Sequence, residues 1–405
     1  MIYDVIVIGG GAAGIFFAAN FHERSPQARV LILEKSNQLL SKVRISGGGR
    51  CNVTNSVFKS YELVKNYPRG GKKMKPILDL FGCDSTIRWF EKRGVELKIE
   101  EDGRVFPKSD QSSTIINCLL HAIQSPNVVV RKKQAVEKVM KTTSGFEVNT
   151  KAESYKGRNI FWATGGHPKI SGYAALKQLG LKIDPPVPSL FTFNIPDSTL
   201  KNLQGIAVEN TMIRIAGTKL TEKGPTLITH WGLSGPAVLR LSAWGARDLA
   251  GLDYNFDILI NWLGDMDEDA VRRNLKEYGQ SHPKKKVISQ ALFNLPKRLW
   301  GRFCELSLKN LEKTWLELSK KELNKLTELL INMKFEVRGK TTFKEEFVTC
   351  GGIALNEVDL KTMECRKIPG LYFGGEVINI DGITGGFNFQ SAWATAYLAA
   401  KSVKM

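Results

Sequence analysis

The chain has 405 residues, 42% of them apolar and 24% charged, with a formal net charge of +18; this is a globular composition long enough for two or three domains. Its six cysteines (Cys51, Cys83, Cys118, Cys304, Cys350, Cys365) contain no C-x-x-C pair and its five histidines are scattered. That argues against a structural zinc site or thioredoxin-like redox pair, and for reduced thiols in a cytoplasmic protein.

The opening Met1-Ile2-Tyr3-Asp4 lacks the basic start of a signal peptide, and predicts a strand over Tyr3–Ile8. The uncharged stretch Val5–Phe21 contains Gly9-Gly10-Gly11-Ala12-Ala13-Gly14, which breaks a membrane-spanning helix and instead predicts a glycine turn. A helix over Ala12–Glu23 and a strand over Ala28–Leu33 complete a βαβ unit with parallel strands. Next come a helix over Ile77–Arg93, a hairpin over Glu96–Phe106, a helix over Ser112–Ala122, and strands at Val128–Arg131, Glu137–Thr142, Gly145–Thr150 and Asn159–Ala163. Pro185-Pro186-Val187-Pro188 marks a boundary. Beyond it lie short strands, among them Thr211–Ile215 and Phe256–Ile260, with one helix from Pro236 to about Leu249. Asp265 to Met333 reads as helical and basic; near Glu346 strand and glycine-turn character returns, and a helix from Asn388 to Val403 closes the chain. The division expected is a split nucleotide-binding domain (1–188 and 346–405), a β-rich insertion (189–264 and 334–345) and a helical basic insertion (265–333).

Gly9-x-Gly11-x-x-Gly14 follows a strand and opens a helix, the context a dinucleotide fingerprint requires. Gly9 serves the tight turn, Gly11 the approach of a pyrophosphate, and Gly14 the packing of helix on strand. The helix N-terminus offers its free N–H groups to phosphate. Glu34, at the end of the second strand, suits both hydroxyls of a ribose and disfavours a 2′-phosphate. A second glycine loop, Lys42-Val43-Arg44-Ile45-Ser46-Gly47-Gly48-Gly49-Arg50-Cys51-Asn52, exceeds what a simple NAD enzyme needs. Gly374-Gly375-Glu376 ends a strand with a carboxylate placed for a ribitol chain. Gly385-Gly386-Phe387-Asn388 then opens a helix whose N–H groups suit the negative charge of a reduced flavin at N1/C2=O. Together these features point to FAD.

These segments, with Ala163-Thr164-Gly165-Gly166 and Thr229-His230-Trp231-Gly232-Leu233-Ser234-Gly235-Pro236, resemble the bacterial BaiN or aminoacetone-oxidase-like FAD-binding flavoproteins over nearly the whole chain. The resemblance implies an α/β fold: a Rossmann-like FAD-binding domain of the glutathione-reductase/fumarate-reductase type, interrupted by a β-barrel-like and a helical insertion. It implies non-covalent FAD contacts at Gly9, Gly11, Gly14, Glu34, Lys42, the Ser46–Asn52 loop, Thr164-Gly165, Gly375-Glu376 and Gly386-Phe387-Asn388, and backbone contact of Ala135-Val136 with the adenine. Ala12, Ala13, Lys35 and Ala163 complete the candidate set. The run His167-Pro168-Lys169-Ile170-Ser171-Gly172-Tyr173 departs from the family, being shorter than its usual serine- and glycine-rich loop.

A flavin carries hydride chemistry itself, and no catalytic triad is evident. His230 either protonates or orients substrate, or bonds backbone in a strand–helix corner. Arg44 and Arg50 hold an anionic substrate or the FAD phosphates, with the phosphates favoured for Arg50. Cys51 reads as a packed thiol rather than a redox-active one, having no second cysteine near it in sequence, and Trp231, Trp244 and Trp262 as core rather than substrate stackers. No second G-x-G-x-x-G follows Gly166, so NADH or NADPH would dock transiently, or the substrate itself would reduce the flavin and oxygen reoxidise it. Arg272 to Lys325 holds 14 Lys or Arg against 5 Glu, half the net charge. This reads either as a solvated face of amphipathic helices or as a footprint for RNA, acidic lipid or an anionic substrate. Without an RNA-binding motif, a small-molecule oxidoreductase, reducing a carbonyl or activated C=C with NAD(P)H or oxidising an amine with O2, stands ahead of a flavoprotein acting on RNA and of a non-catalytic flavin sensor.

Overall fold

In the computed structural model, residues 1–341 and 348–404 are described, and the expected boundary near Glu346 lies outside them. The chain divides into unit 1 (Met1–Ser189 with Lys344–Met405) and unit 2 (Leu190–Phe343).

In unit 1, Ile2–Ile8 (β1), Val30–Glu34 (β2), Val128–Lys132 (β3), Ser154–Trp162 (β4) and Leu371–Phe373 (β5) pair in parallel in the order β5-β4-β1-β2-β3. The apolar runs of β1, β2, β4 and β5 are buried, as expected of a parallel sheet covered on both faces, whereas the edge strand β3 is only half-buried. Helices Ala12–Arg24 (α1) and Phe387–Ser402 (α2) are almost wholly buried and pack on each other. Small residues along both helices let them approach. Phe16 and Trp393 meet with ring centroids 5.0 Å apart, a contact contributing about 0.5–1.5 kcal/mol beyond its area.

Two expected long helices are broken at glycine. Gly71–Leu80 and Cys83–Glu91 are separated at Gly82, which is extended at φ −87°, ψ −170°. In unit 2, Pro236–Trp244 and Ala246–Gly251 are separated at Gly245, where a Cβ would lie 2.9 Å from a Leu220 methyl. The proline run lies just before the division at Ser189 and is itself a strand. This strand, Ile183–Pro188, is antiparallel to Thr349–Ile353, with its register broken between Asp184 and Val187. That break accommodates Pro185 and Pro186, which cannot donate to a ladder.

Unit 2 carries an antiparallel sheet running from Met333–Arg338 through Asn255–Asn261, Ala207–Ile215, Thr221–Ile228, Gly232–Ser234 and Thr192–Asn194 to Lys340–Thr341. Its first and last strands are consecutive in the chain, joined at Gly339 (φ +88°), so the sheet curls without a closed ladder. The helices Glu268–Ser281, Lys297–Ser307 and Lys320–Ile331 follow the basic sequence. Asp267 caps the first through Ala270 N (2.7 Å), and Ser319 with Glu322 forms a capping box on the third. Trp262, Trp300 and Phe303 anchor their core. Among the described residues no helix is long and apolar enough to cross a membrane.

Candidate functional site

The three fingerprint glycines meet three different surroundings. A Cβ on Gly9 (φ +110°) would lie 2.4 Å from the Ala163 carbonyl oxygen, and one on Gly14 only 1.9 Å from the Gly9 oxygen. A Cβ on Gly11 would meet nothing within 4 Å. Gly9 and Gly14 therefore serve packing of turn, helix and strand, whereas Gly11 faces open space at the N-terminus of α1. There the first-turn N–H groups lack intrahelical partners and can receive an anion.

Glu34 ends β2 and ties this turn down: one carboxylate oxygen accepts from Gly10 N and the other from Ser36 N, each at 2.8 Å. Gln134 N, beside Ala135 and Val136, donates to the Glu34 carbonyl (2.8 Å), which brings that segment next to the end of β2. Lys35 is exposed. Ala163-Thr164-Gly165 ends β4, and Gly375-Glu376 follows β5, so the candidate residues gather at the carboxyl ends of the parallel strands, where open α/β sheets bind ligands.

Glu376 accepts from Lys42 Nζ (2.9 Å) and from Thr349 N (2.7 Å). Thr349 lay outside the sequence reading; its hydroxyl oxygen is buried without a hydrogen-bond partner among the described residues. The Ser46–Asn52 loop carries three successive left-handed glycines (Gly47 φ +58°, Gly48 +67°, Gly49 +84°), and Gly48 and Gly49 stand open. Asn52 joins this loop to the far end of the chain: its amide oxygen accepts from Gly386 N (2.9 Å) and its nitrogen donates to Thr54 O (2.8 Å). Asn55 Nδ2 donates to Gly385 O (2.9 Å), and Tyr67 Oη to Phe387 O (2.8 Å). Asn388 clamps the preceding turn through both the N–H and the carbonyl of Gly382 (2.8 and 2.9 Å).

Arg50 is turned to Glu100 (2.6 Å) and Asp110 (3.5 Å), with its guanidinium 4.0 Å from the Phe106 ring centre. The bond it donates to Glu100 raises its pKa further. Its charge is thus already answered by two carboxylates. Arg44 is exposed. Cys51 is a packed thiol, as the residues around it suggested; burial pushes it up to about 12.

A buried cluster escaped the sequence. Asp381 is fully buried and accepts from Arg69 (Nε, 2.6 Å; also Nη2) and from the Ser189 hydroxyl. Burial raises its pKa, against the lowering effect of Arg69 and Ser189. Arg69 and Asp381 lie 312 positions apart, which no local pattern reveals, and they brace the turn that leads into α2.

In unit 2, Trp262 is core at 1% exposure, but Trp231 and Trp244 are not, at 64% and 39%. Trp231 and the exposed His230 form a hairpin tip, where residues extend past the sheet and have no core to enter. Among the described residues no group of three or more His, Cys, Asp or Glu is placed to hold a metal ion.

A glycine turn feeding a buried helix, a carboxylate ending the second strand, and a terminal helix opening beside the second glycine loop define a Rossmann-type flavoprotein. The chain belongs to the HI0933-like family: the HI0933-like protein Rossmann domain matches residues 3–402. It is 31% identical over 417 positions to the ribosomal RNA dihydrouridine synthase of Escherichia coli (strain K12), covering 99% of this chain and 98% of that protein. It is 26% identical to the 3-dehydro-bile acid delta(4,6)-reductase of Clostridium scindens, covering 98% of each. Among solved structures, 3-ketosteroid delta1-dehydrogenase from Sterolibacterium denitrificans shares the fold with a TM-score of 0.54 at 11% identity, covering 99% of each chain. The cofactor is FAD, and the chain is a FAD-dependent oxidoreductase.

Proposed function

We propose that this chain reduces a C=C bond conjugated to a carbonyl, and that its acceptor is the uracil ring of a uridine in ribosomal RNA. The observation that carries this reading is the similarity to the E. coli protein of that name. It runs the whole length of the chain, through the basic helices of unit 2 as well as the FAD-binding unit. The chemistry is shared with the second relative. Making dihydrouridine saturates C5=C6, conjugated to the C4 carbonyl; a 3-dehydro-bile acid with Δ4,6 double bonds presents C=C conjugated to a 3-oxo group.

When bound, FAD would supply a hydride, drawn from NADPH or NADH, to the carbon β to the carbonyl, and the α carbon would take a proton from solvent. The chain's residues hold and tune that cofactor. The N–H groups at the start of α1 take the pyrophosphate across Gly11, and Glu34 takes the adenosine ribose. Ala135-Val136 takes the adenine by backbone, and Glu376 the ribitol. The N–H groups that open α2 hold negative charge at the flavin's N1/C2=O edge. The absence of a second G-x-G-x-x-G after Gly166 supports transient docking of the nicotinamide donor.

A second reading, a small enone as acceptor, is favoured by the Clostridium relative. Anaerobic stopped-flow absorbance separates the two. NADPH, NADH and a panel of small amines are tested as reductants; the reduced protein is then mixed with a uridine-containing ribosomal RNA fragment or with a steroid enone. The proposal expects bleaching by NADPH or NADH, reoxidation by the RNA, and dihydrouridine in its digest. Reoxidation by the enone alone selects the second reading. Bleaching by amines alone moves the activity to amine oxidation, and no bleaching at all leaves a flavin-binding protein without this chemistry.

A further inference from the structure

The turn Thr229-His230-Trp231-Gly232 joins two antiparallel strands of unit 2, paired at Leu227–Ser234 and Ile228–Leu233. Its backbone is fixed from several directions. Thr229 donates to the Gly232 carbonyl through both its N–H (2.8 Å) and its hydroxyl (3.2 Å), and Ile195 N donates to Trp231 O (2.8 Å). Gly232 has φ +144°, and a Cβ there would lie 2.3 Å from Phe193 O, so the turn is shaped for glycine. Yet this rigid frame holds the Trp231 indole in water at 64% exposure. The ring contacts no other ring, and its Nε1–H has no partner among the described residues. A flat apolar ring fixed in solvent is arranged for a stacking partner.

The charge of the same unit supplies the second observation. Of the 14 Lys and Arg between Arg272 and Lys325, only Arg272, Lys286, Arg302, Lys313 and Lys325 form ion pairs among the described residues. The others, including Arg273, Lys276, Lys284, Lys297, Lys320 and Lys321, are exposed. One loop joins these cations to the hairpin. Ile195–Ile206 grips the hairpin at Trp231 O and, through Gly205 N, at Ile228 O (2.9 Å); Arg298 and Arg302 on the helix Lys297–Ser307 donate to the carbonyls of Asn202 and Lys201 in that loop.

We propose that unit 2 is the RNA-docking element: Trp231 stacks on an unpaired base, and the unpaired cations of its helical segment neutralise backbone phosphates. The inference rests on the RNA reading of the acceptor. Single-stranded RNA offers both an evenly spaced polyanion and exposed π-faces, the two features the surface lacks internally. An acidic peptide or an anionic bilayer supplies the charge without the rings.

The test is fluorescence anisotropy of the FAD-loaded protein with a labelled uridine-rich single-stranded RNA, across a salt series. Heparin and phosphatidylserine vesicles serve as comparison polyanions, and far-UV circular dichroism with FAD content controls for folding. Trp231→Ala should weaken RNA binding by about 5- to 150-fold with its salt slope unchanged, the range of one base–aromatic stack. Trp231→Phe should recover most of that loss. The triple variant Arg273→Ala, Lys320→Ala, Lys321→Ala should lower the slope of log K against log salt by about 2, near 0.7 per phosphate contact. RNA binding and reduction unchanged in both variants overturns the inference and leaves the proposed function standing. No RNA binding by the wild type at low salt removes both. Equal losses of heparin and RNA binding in Trp231→Ala, or vesicles bound as tightly as RNA, overturn the stacking role.

Discussion

The assignment of the FAD pyrophosphate to Gly11 leads to a contrast between two substitutions three residues apart. In Gly11→Ala the new methyl enters space empty of protein atoms, at an extended backbone (φ −85°, ψ −168°) that alanine adopts freely. Two small effects oppose each other in the apoprotein. Reduced freedom of the unfolded chain stabilises by about 0.4–1 kcal/mol, and alanine at a helix N-cap is poorer than glycine by a similar amount. Apoprotein stability should therefore stay within about 1 kcal/mol of wild type. On that assignment, however, the FAD phosphates come into the space the methyl now fills. A binding loss of about 10- to 100-fold follows if the backbone shifts to relieve the contact, equivalent to about 1.4–2.7 kcal/mol.

Gly14→Ala reverses the pattern. Its methyl would sit 1.9 Å from the Gly9 carbonyl oxygen and 3.2 Å from a Val7 methyl, and no rotamer choice moves it. Helix propensity gains about 1 kcal/mol at most, while overpacking of this kind costs about 1–3 kcal/mol or more. The apoprotein itself should lose stability, and FAD binding should fall because the turn is displaced. The assay is thermal unfolding after removal of FAD, followed by titration of FAD monitored by quenching of its fluorescence. Wild-type FAD affinity in Gly11→Ala would refute the pyrophosphate assignment; a wild-type melting curve for apo Gly14→Ala would refute the packing argument.

Three further outcomes follow from buried groups. Asp381→Asn should destabilise the protein by about 3–5 kcal/mol in urea unfolding, because it weakens the acceptor facing Arg69 in a buried pair. Glu322 is buried, which alone would raise its pKa, but bonds from Lys313, Ser319 and the Lys309 N–H hold it down at about 2 against an ordinary 4.5. With the folded value depressed, its contribution of about 3 kcal/mol is complete above pH 4.5 and is lost as pH falls toward 2; Glu322→Gln should flatten acid unfolding in that window. Cys51, buried and pushed up to about 12, should resist maleimide at neutral pH until the protein unfolds, as peptide mapping of the labelled chain would report.

What could be read from sequence was local. Gly9, Gly11, Gly14 and Glu34 obey a spacing rule within one βαβ unit, and the structure gives each glycine a distinct surrounding. The Rossmann-like class followed from the same stretch. Misreadings arose where a residue's setting depends on distant chain. Trp231 was expected in the core on its apolarity alone, but a two-residue hairpin tip has no interior side to face. The helices expected over Ile77–Arg93 and from Pro236 to about Leu249 each contain a glycine, Gly82 or Gly245, at which the structure ends one helix and starts another. Arg69 and Asp381 gave no signal, because neither carries a motif and their pairing is set by tertiary contact.

The interruption of unit 1 by unit 2 has a simple physical basis. The chain leaves unit 1 along Ile183–Pro188 and returns along Thr349–Ile353, two strands paired antiparallel, with Ser189 N bonded to Val348 O at 2.9 Å. Exit and return are thus adjacent, as at the base of a hairpin, and a long insertion there adds only a slowly growing closure entropy. Contacts that tie the early glycine loop to the last helix lie within unit 1. Asn52 with Gly386, Asn55 with Gly385, and Trp393 Nε1 with Val53 O (2.9 Å) all join the early loop to the last helix within unit 1. On the proposal that unit 2 docks the acceptor, a change of acceptor can proceed there while these contacts within unit 1 stay fixed. Full-length relatives whose names give such different acceptors, a ribosomal RNA and a bile acid, are what that separation permits.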